Sequence, residues 1–330
     1  MLVSTLGEHP CLILGATAAG KSALALELAA RWHGEIISLD AIQIYRGMDI
    51  GTAKPTPAEQ QRVRHHLIDC LPLCEQSDVA QFIARVETVR AEIAGRGVAT
   101  VLVGGTAMYI RALVDGLFSG PPASADIRAE LLALAKEHGP EYLHEHLLRD
   151  VDPAAAARIH PRDVRRVVRA IEVFRLTGTP ISALQSQWAQ PERPCGYRLI
   201  GLNLPRAELY RRIEQRVDAM LAAGLLDEVR ALREQGIEEN QSASQAIGYK
   251  EMLAHLRGEC TLERAVELLK RNTRRFAKHQ LTWFRKDPRI AWFDVTAHAD
   301  TAALADAVEH HLSGGGAMTS APPARLPTHT

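Results

Sequence analysis

The chain has 330 residues, 46 % of them hydrophobic, and its 39 basic residues balance 39 acidic ones, so the formal net charge is zero. This length predicts two domains or one domain with a large insertion, and the apolar content is typical of a folded globular protein. No apolar run is long enough to span a bilayer, and no basic-then-apolar segment opens the chain, so we expect a cytoplasmic protein with no membrane partner. The five cysteines form no C-x-x-C pair, which predicts reduced thiols without structural zinc.

The first predicted strand, Cys11–Leu14, is followed by G-A-T-A-A-G-K-S, which fits the P-loop pattern G-x-x-x-x-G-K-[ST]. In this motif backbone N–H groups curl around phosphate oxygens, the lysine adds a positive charge and the serine hydroxyl can ligate Mg²⁺. The motif does not identify the phosphate compound, because kinases, hydrolases and transferases all use it. We predict that Ser22 is the metal ligand and that the phosphates are bound by Gly15, Ala16, Thr17, Ala18, Ala19, Gly20, Lys21 and Ser22.

Strand and helix patterns alternate over the first third of the chain, as in a parallel α/β sheet. Ligands of such sheets bind at the carboxyl ends of the strands, so the P-loop, Asp40 and the Gly104-Gly105-Thr106 segment should face one crevice. The predicted strands are Cys11–Leu14, Glu35–Leu39 and Ala99–Val103, and the predicted helices are Lys21–Trp32, Asp78–Ala94 and Met108–Val114.

Two stretches rich in Pro, Gly or Ser, Ser119–Ser124 and Gln190–Gly196, bracket a segment whose pattern is helical throughout. We predict that residues 119–196 form an inserted all-helical domain, that residues 1–118 and 197–312 form the α/β core, and that residues 313–330 form a disordered tail. After the insertion the predicted elements are a strand at Tyr197–Leu204, helices at Arg206–Ala223, Leu226–Gln235, Ala246–Arg257 and Leu262–Arg285, a strand at Arg289–Val295 and a helix at Asp300–Leu312.

Asp40 ends the second predicted strand and places a carboxylate beside the P-loop. Three interpretations remain open: a Walker B type Mg²⁺ ligand, a general base acting on an acceptor above the phosphates, or a cap of the following turn. Its position directly after the P-loop helix favours the base. The other candidate Walker B strand ends in Gly104-Gly105-Thr106 without a carboxylate, which argues against an ATP-hydrolysing motor.

Thr106 follows two glycines, which allow the backbone to approach a ligand closely at a strand end. Its hydroxyl could bond a diphosphate oxygen or the acceptor, or it could cap the next helix.

Two basic segments interrupt the neutral chain, one between Arg162 and Arg175 and one between Lys270 and Arg289. The helix of the second segment predicts an apolar stripe of Leu269, Phe276 and Trp283. The cations on its opposite side form either a solvated charged surface or a site for a polyanion backbone. These cations are Arg271, Arg275, Lys278 and Arg285.

The first basic segment also predicts an apolar stripe, which we interpret as core, and its arginines are free to bind phosphate. The stripe consists of Val164, Val167, Val168, Ile171 and Phe174, and the arginines are Arg162, Arg165, Arg166 and Arg169.

Taken together, these segments resemble the bacterial tRNA dimethylallyltransferases, also called isopentenyl-diphosphate:tRNA isopentenyltransferases. The P-loop carries part of the resemblance, and further matching stretches run in order through the chain up to about Val295. They are I-S-L-D-A-I-Q-I-Y-R-G-M-D-I-G-T-A-K-P from Ile37, H-H-L-I-D from His65, V-G-G-T-A-M-Y-I-R-A-L from Val103, H-P-R-D-V-R-R-V-V-R-A-I-E-V from His160, Q-A-I-G-Y-K-E from Gln245 and R-R-F-A-K-H-Q-L-T-W-F-R from Arg274.

The resemblance implies a P-loop NTPase or kinase-like core with a parallel sheet and a helical insertion that clasps the tRNA anticodon stem-loop. It implies transfer of a dimethylallyl group from dimethylallyl diphosphate to N6 of adenosine-37, beside the anticodon of tRNAs that read codons beginning with U, with Mg²⁺ as cofactor. Asp40 matches the family's general base and Thr106 its threonine at the reaction centre, so both are predicted to be catalytic. The tRNA contacts that it implies are Asp40, Ala41, Ile42, Gln43, Thr106, Arg128, Arg165, Arg166, Val167, Val168, Arg169, Gln245, Ala246, Ile247, Gly248, Tyr249 and Lys250, to which the charge pattern adds Arg271, Arg275 and Lys278.

We expect a monomer. The nearest alternative is an enzyme that prenylates free adenine nucleotides, against which the arginine-bearing insertion argues. A P-loop small-molecule kinase or an RNA-binding NTPase switch would instead consume ATP or GTP.

Overall fold

The structure, a computed structural model, describes residues 9–116, 120–185 and 196–314. Residues 315–330, which include most of the predicted tail, lie outside this range, as do parts of both predicted linkers. Contacts within the chain divide it into two compact units, Met1–Val114 with Pro194–Thr330 and Asp115–Arg193. In the described parts of the chain no helix combines the length and the apolarity that crossing a membrane requires.

The first unit contains a six-stranded sheet in the order β3-β2-β4-β1-β5-β6, in which every neighbouring pair is parallel. The central strands are buried along their whole length, as a sheet covered on both faces requires, and this explains their short continuous apolar runs. The α/β fold is therefore as predicted. The strands are β1 (Cys11–Gly15), β2 (Glu35–Leu39), β3 (His65–His66), β4 (Thr100–Gly104), β5 (Arg198–Asn203) and β6 (Ala291–Asp294).

The edge strand β3 was not among the predicted strands, because two histidines carry no periodic pattern. It is joined to β2 by an ion-pair cluster around the buried Glu35. One carboxylate oxygen of Glu35 bonds His66 Nε2 at 2.6 Å, and Arg96 donates to both oxygens at 2.5 and 2.7 Å. The Arg96 hydrogen bonds, with a smaller contribution from His66, lower the pKa of Glu35 to about 2.

Helices cover the sheet, and several begin with the caps expected from their sequences. Asp78 and Gln81 form a capping box at the start of one helix, and Thr261 caps another. The helices of this unit are α1 (Lys21–Arg31), α2 (Pro57–Arg62), α3 (Val79–Gly95), α4 (Ala107–Asp115), α10 (Arg206–Ala222), α11 (Leu225–Glu234), α12 (Gln241–Ser244), α13 (Tyr249–Leu256), α14 (Leu262–Phe284) and α15 (Thr301–Leu312).

The second unit is helical throughout its described residues and has its own apolar core. Asp163 caps the helix Val164–Thr177, and Gly178, with a left-handed φ of 69°, ends it. The predicted apolar stripe of that helix packs into the core, where Val167 and Ile171 are fully buried. The helices are α5 (Ala125–His138), α6 (Pro140–His146), α7 (Pro153–Ala156), α8 (Val164–Thr177) and α9 (Ile181–Leu184), with a π-helical turn at Leu147–Val151.

Candidate active site

The P-loop joins β1 to α1 and turns through backbone conformations that favour glycine. Gly15 has φ of 145°, and a Cβ on it would lie 2.8 Å from the Leu202 carbonyl oxygen. Gly20 has φ of 96° and directly precedes α1. The loop therefore presents its N–H groups at the start of a helix, the geometry that suits an anion.

Lys21 stands at this helix start, and its Nζ donates a hydrogen bond to the Ala16 carbonyl at 2.7 Å. Burial and the nearby charge of Arg216 lower the pKa of Lys21 to about 7, against an opposing effect of Asp40. A bound diphosphate supplies negative charge that favours the ammonium form, so anion binding and protonation of Lys21 reinforce each other.

Ser22, the predicted Mg²⁺ ligand, is exposed in the first turn of α1. Among the residues that the structure describes, no three His, Cys, Asp or Glu side chains form a cluster able to hold a metal ion. Mg²⁺ in phosphate sites keeps several waters and is held by substrate phosphates with one or two protein groups. A single exposed hydroxyl beside the phosphate loop fits that mode of binding, and a protein-only metal cage does not exist in the described residues.

Asp40 follows β2 and lies against the same cavity as the P-loop. Its Oδ1 accepts hydrogen bonds from the backbone N–H groups of Ile42 at 2.8 Å and Gln43 at 3.2 Å. Asp40 therefore does cap the following turn, the most conservative of its three interpretations. Both bonds use Oδ1, so within the described residues Oδ2 is left for a ligand.

Gln43, predicted to contact tRNA, has its side-chain amide engaged inside the protein. Its Oε1 accepts from Ser38 Oγ at 2.9 Å, and its Nε2 donates to the carbonyls of Thr52 at 3.1 Å and Ala53 at 3.4 Å. This amide joins the Asp40 turn to the loop at residues 52–53.

Thr106 lies just before α4, and its carbonyl accepts the first N–H bonds of that helix, from Tyr109 and Ile110. Its hydroxyl makes no hydrogen bond with any described residue, so the predicted side-chain cap is not formed. Thr106 also lines the cavity described below.

A cavity of about 370 Å³ brings several of the predicted site residues together. Its polar lining includes Thr17, Asp40 and Thr106. Its apolar lining includes Ile213, Val217, Met220, Leu269 and Phe276. Of the other predicted residues, those lining it are Ala18, Ala41, Ile42, Gln245, Ala246, Ile247 and Tyr249.

Gln280 of α14 was not among the predicted site residues, yet it connects two parts of the site. Its amide is 4 % exposed. The Thr17 N–H donates to Gln280 Oε1 at 2.8 Å, and Gln280 Nε2 donates to the Gly105 carbonyl at 2.8 Å. A Cβ at Gly105 would collide with this Nε2, which explains one of the two glycines before Thr106.

Arg216 of α10 was also missed, because an arginine on an amphipathic helix normally indicates a solvated face. It lines the cavity between the apolar residues Ile213 and Met220. Its positive charge lowers the pKa of Lys21, so the two cations are near each other.

The remaining members of the predicted tRNA segment at 245–250 do not line the cavity. Gly248 is buried with φ of 100°, and its N–H donates to the buried Glu251 carboxylate at 2.8 Å. Lys250 is exposed at the start of α13.

The predicted stripe of α14 is corrected by the structure. Leu269 is buried, but Phe276 is 40 % exposed at the cavity and Trp283 stacks with Arg111, whose guanidinium carbon lies 5.2 Å from the ring centroid. The face that packs inward instead carries Ala277, Gln280, Leu281 and Phe284. The buried face includes the polar Gln280, which is held inside by two hydrogen bonds, so large apolar residues alone did not locate it.

The predicted cations of α14 have different environments. Arg275 and Lys278 are exposed. Arg271 is half-buried, and its Nε is buried with no hydrogen-bond partner in the described part of the chain.

In the second unit the predicted tRNA-binding arginines separate into two pairs. Arg165 and Arg166 are exposed. Arg128 and Arg169 both bond the fully buried carboxylate of Glu172, at 2.8 and 2.6 Å. The second pair is therefore partly used in holding this unit together.

Val167 and Val168 are buried, at 0 and 4 % exposure. Their side chains belong to the core of the second unit, so a side-chain contact with tRNA at these two positions does not fit this packing. The exposed side chains in the range 165–169 are those of Arg165 and Arg166.

Known proteins are similar to this chain in sequence and in fold. The IPP transferase family profile matches residues 43–287. A tRNA dimethylallyltransferase of Symbiobacterium thermophilum is 51 % identical over 286 residues, which cover 86 % of this chain and 89 % of the relative. The relative of the same description in Geobacillus kaustophilus is 44 % identical over 313 residues, covering 94 and 98 %.

Solved structures agree. The full-length tRNA isopentenylpyrophosphate transferase of Bacillus halodurans superposes with a TM-score of 0.69 at 43 % identity, covering 93 % of this chain and 96 % of that one. A eukaryotic dimethylallyltransferase acting on tRNA gives a TM-score of 0.76 at 26 % identity, covering 96 and 82 %.

Proposed function

The chain belongs to the IPP transferase family, and we propose that it moves a dimethylallyl group from dimethylallyl diphosphate to N6 of adenosine-37, beside the anticodon of tRNAs reading codons that begin with U. Its activity is tRNA dimethylallyl transfer, and tRNA is the substrate. The observation that supports this proposal best is the cavity, which is lined by two P-loop residues, Asp40 and Thr106 together with five large apolar side chains of two helices. We also propose that it works as a monomer in the cytoplasm, where tRNA is modified.

The P-loop would hold the diphosphate as a leaving group. Breaking the allylic C–O bond moves an electron pair onto the diphosphate and leaves positive charge on carbon. Backbone N–H groups of the loop, protonated Lys21 and Arg216 would stabilise the departing anion. Fixed donors and cations of this kind are the largest contribution in many enzymes.

Mg²⁺ would be held by Ser22 and by the diphosphate oxygens, and it would supply further charge neutralisation for the leaving group. The fit rests on the exposed hydroxyl at the first turn of α1.

Asp40 would act as the general base. An exocyclic adenine amine is a weak nucleophile because its lone pair is delocalised into the ring, so the proton must leave as N6 bonds the allylic carbon. Oδ1 is fixed by two backbone N–H groups, so Oδ2 would be the oxygen that accepts this proton in the cavity that Asp40 lines. The adenine must first be unstacked from the anticodon loop, at a cost of a few kcal/mol.

The apolar wall would receive the prenyl chain. Ile213, Val217 and Met220 lie on one face of α10, and Leu269 and Phe276 face them from α14. A five-carbon group gains about 0.8 kcal/mol for each buried methylene, which supports donor binding independently of the phosphates.

The phosphates of the anticodon stem-loop would be bound by exposed cations, for which Arg165, Arg166, Arg275 and Lys278 are candidates. Contacts to phosphates position the nucleic acid, while the cavity selects the base.

The test is to incubate the protein with dimethylallyl diphosphate, Mg²⁺ and unmodified tRNA, then digest the tRNA and examine its nucleosides by mass spectrometry. We expect one prenylated adenosine per tRNA, located beside the anticodon. Prenylation of free adenosine monophosphate in preference to tRNA would instead identify an adenine-nucleotide isopentenyltransferase.

A further inference from the structure

One wall of the cavity is a loop between β2 and α2, of which Gly51, Thr52 and Ala53 line the cavity. These residues belong to the segment M-D-I-G-T-A-K, which has no regular secondary structure of its own. Such a wall needs contacts from elsewhere to keep one conformation.

Glu228 of α11 provides them. Its Oε2 accepts hydrogen bonds from the N–H groups of Asp49 at 3.1 Å and Ile50 at 2.7 Å, and its Oε1 accepts from Gly51 N–H at 3.2 Å. Three consecutive amides thus converge on one carboxylate from a distant helix. Charge-assisted bonds of this type are stronger than neutral ones.

Tyr249 completes the arrangement. Its hydroxyl donates to Glu228 Oε1 at 2.6 Å, and its fully buried ring packs so closely on Gly51 that a Cβ there would lie 2.6 Å from ring carbons. Burial and the neighbouring Glu228 raise the pKa of Tyr249, so the phenol stays a donor.

The same loop is connected to the base. Gln43 Nε2 donates to the carbonyls of Thr52 and Ala53, and Gln43 N–H donates to Asp40 Oδ1. The P-loop has a separate support, because Thr17 is bonded by Gln280. The wall at residues 49–53 and the P-loop are therefore held by different residues.

We propose that Glu228 is a positioning residue for the tRNA acceptor: it fixes the wall at residues 49–53 and, through Gln43, the orientation of Asp40. This inference rests on the proposed function. Glu228 touches no reacting atom, and its loss should impair use of tRNA while leaving use of dimethylallyl diphosphate intact.

The test compares Glu228→Leu with Glu228→Gln. Leucine leaves all three amides and the phenol without a partner, whereas glutamine, with its carbonyl oxygen toward Asp49 and Ile50, preserves two of the amide bonds. We expect Glu228→Leu to lower kcat/KM for tRNA roughly tenfold or more, with the KM for dimethylallyl diphosphate within about twofold of wild type, and Glu228→Gln to recover most of the loss.

Asp227→Asn is the matched control, since Asp227 is the neighbouring residue on α11 and its side chain is 79 % exposed. It should leave both substrates' constants unchanged. Hydrogen exchange supplies a second readout: amides 49–51 should exchange faster in Glu228→Leu, and those of the P-loop should not. If Glu228→Leu does not fold, Tyr249→Phe, which removes one donor, should show the same pattern at smaller size.

Unchanged tRNA kinetics in Glu228→Leu, or an equal rise in the KM of both substrates, would overturn the inference. A wild-type enzyme that makes no prenylated tRNA would contradict the proposed function instead, and the exchange of amides 49–51 would still decide whether Glu228 holds the wall.

Discussion

The Thr17 N–H donates to the side-chain carbonyl of Gln280 at 2.8 Å. Gln280 lies on α14, 263 positions further along the chain, and it holds the P-loop through this bond. The other end of the same amide bonds the Gly105 carbonyl, directly before Thr106. One buried side chain therefore fixes the spacing between the P-loop, the predicted diphosphate site, and the predicted reaction centre.

Replacing Gln280 by leucine removes this connection and leaves the half-buried Thr17 N–H and the buried Gly105 carbonyl without this partner. Each unpaired group costs about 1 to 3 kcal/mol, so we expect the free energy of unfolding to fall by roughly 2 kcal/mol or more. Urea unfolding measures it, with the exposed neighbour His279→Ala as a control that should change stability by less than about 0.5 kcal/mol. A Gln280→Leu protein as stable as wild type would show that the two bonds contribute nothing.

The substitution Asp40→Asn distinguishes the proposed role of Asp40 as general base from its role as cap of the following turn. Asparagine keeps an oxygen that can accept from Ile42 and Gln43, but it cannot take the N6 proton. We expect kcat to fall about 100-fold or more while tRNA affinity changes little, whereas Asp40→Ala should also weaken tRNA binding because the cap is lost. Single-turnover rates and filter-binding affinities measure the two effects, and equal losses in Asp40→Asn would argue for a binding role alone.

We predict that the affinity for diphosphate depends on pH through the protonation of Lys21. Its pKa of about 7 in the free protein should rise when the anion binds, so binding takes up a proton above pH 7 and affinity declines as pH increases. Calorimetry with inorganic pyrophosphate at pH 8, in buffers of different ionisation enthalpy, measures this uptake. Lys21→Met should abolish it, and uptake that persists in this variant would assign the proton to another group.

We predict that stability depends on pH through Glu35, which begins β2 and so lies at the opposite end of this strand from Asp40. Its folded pKa of about 2 lies below the ordinary 4.5, so its stabilisation is fully present above about pH 4.5 and is lost as pH falls toward 2. We expect Glu35→Gln to lower the free energy of unfolding by about 2 to 3 kcal/mol at pH 7 and by less at pH 3. Thermal unfolding at both pH values checks this, and the exposed Glu75→Gln should have no such pH-dependent effect.

The sequence predicted the features that depend on short segments. The P-loop from Gly15 to Ser22 and the strand that ends at Asp40 are local patterns, and buried parallel strands have an unmistakable apolar composition. The family resemblance then supplied the activity, which the P-loop alone leaves open.

Features that depend on tertiary contacts were not predicted. Gln280, Glu228 and Arg216 act through residues far away in sequence, and each has an ordinary explanation on its own helix. The converse holds at Val167 and Val168, where the motif range of predicted tRNA contacts includes two side chains that the structure buries in the core of the second unit.

The central claim is that the P-loop holds a leaving group and not a phosphoryl donor. Dimethylallyl diphosphate labelled with ¹³C in the dimethylallyl group and ³²P in the diphosphate separates these possibilities in one incubation with unmodified tRNA. We expect the tRNA to gain ¹³C but no ³²P, and we expect one ³²P-labelled pyrophosphate to be released for each dimethylallyl group transferred. The reaction should not require ATP. Transfer of ³²P to the tRNA, or product formation that depends on ATP hydrolysis, would contradict the claim.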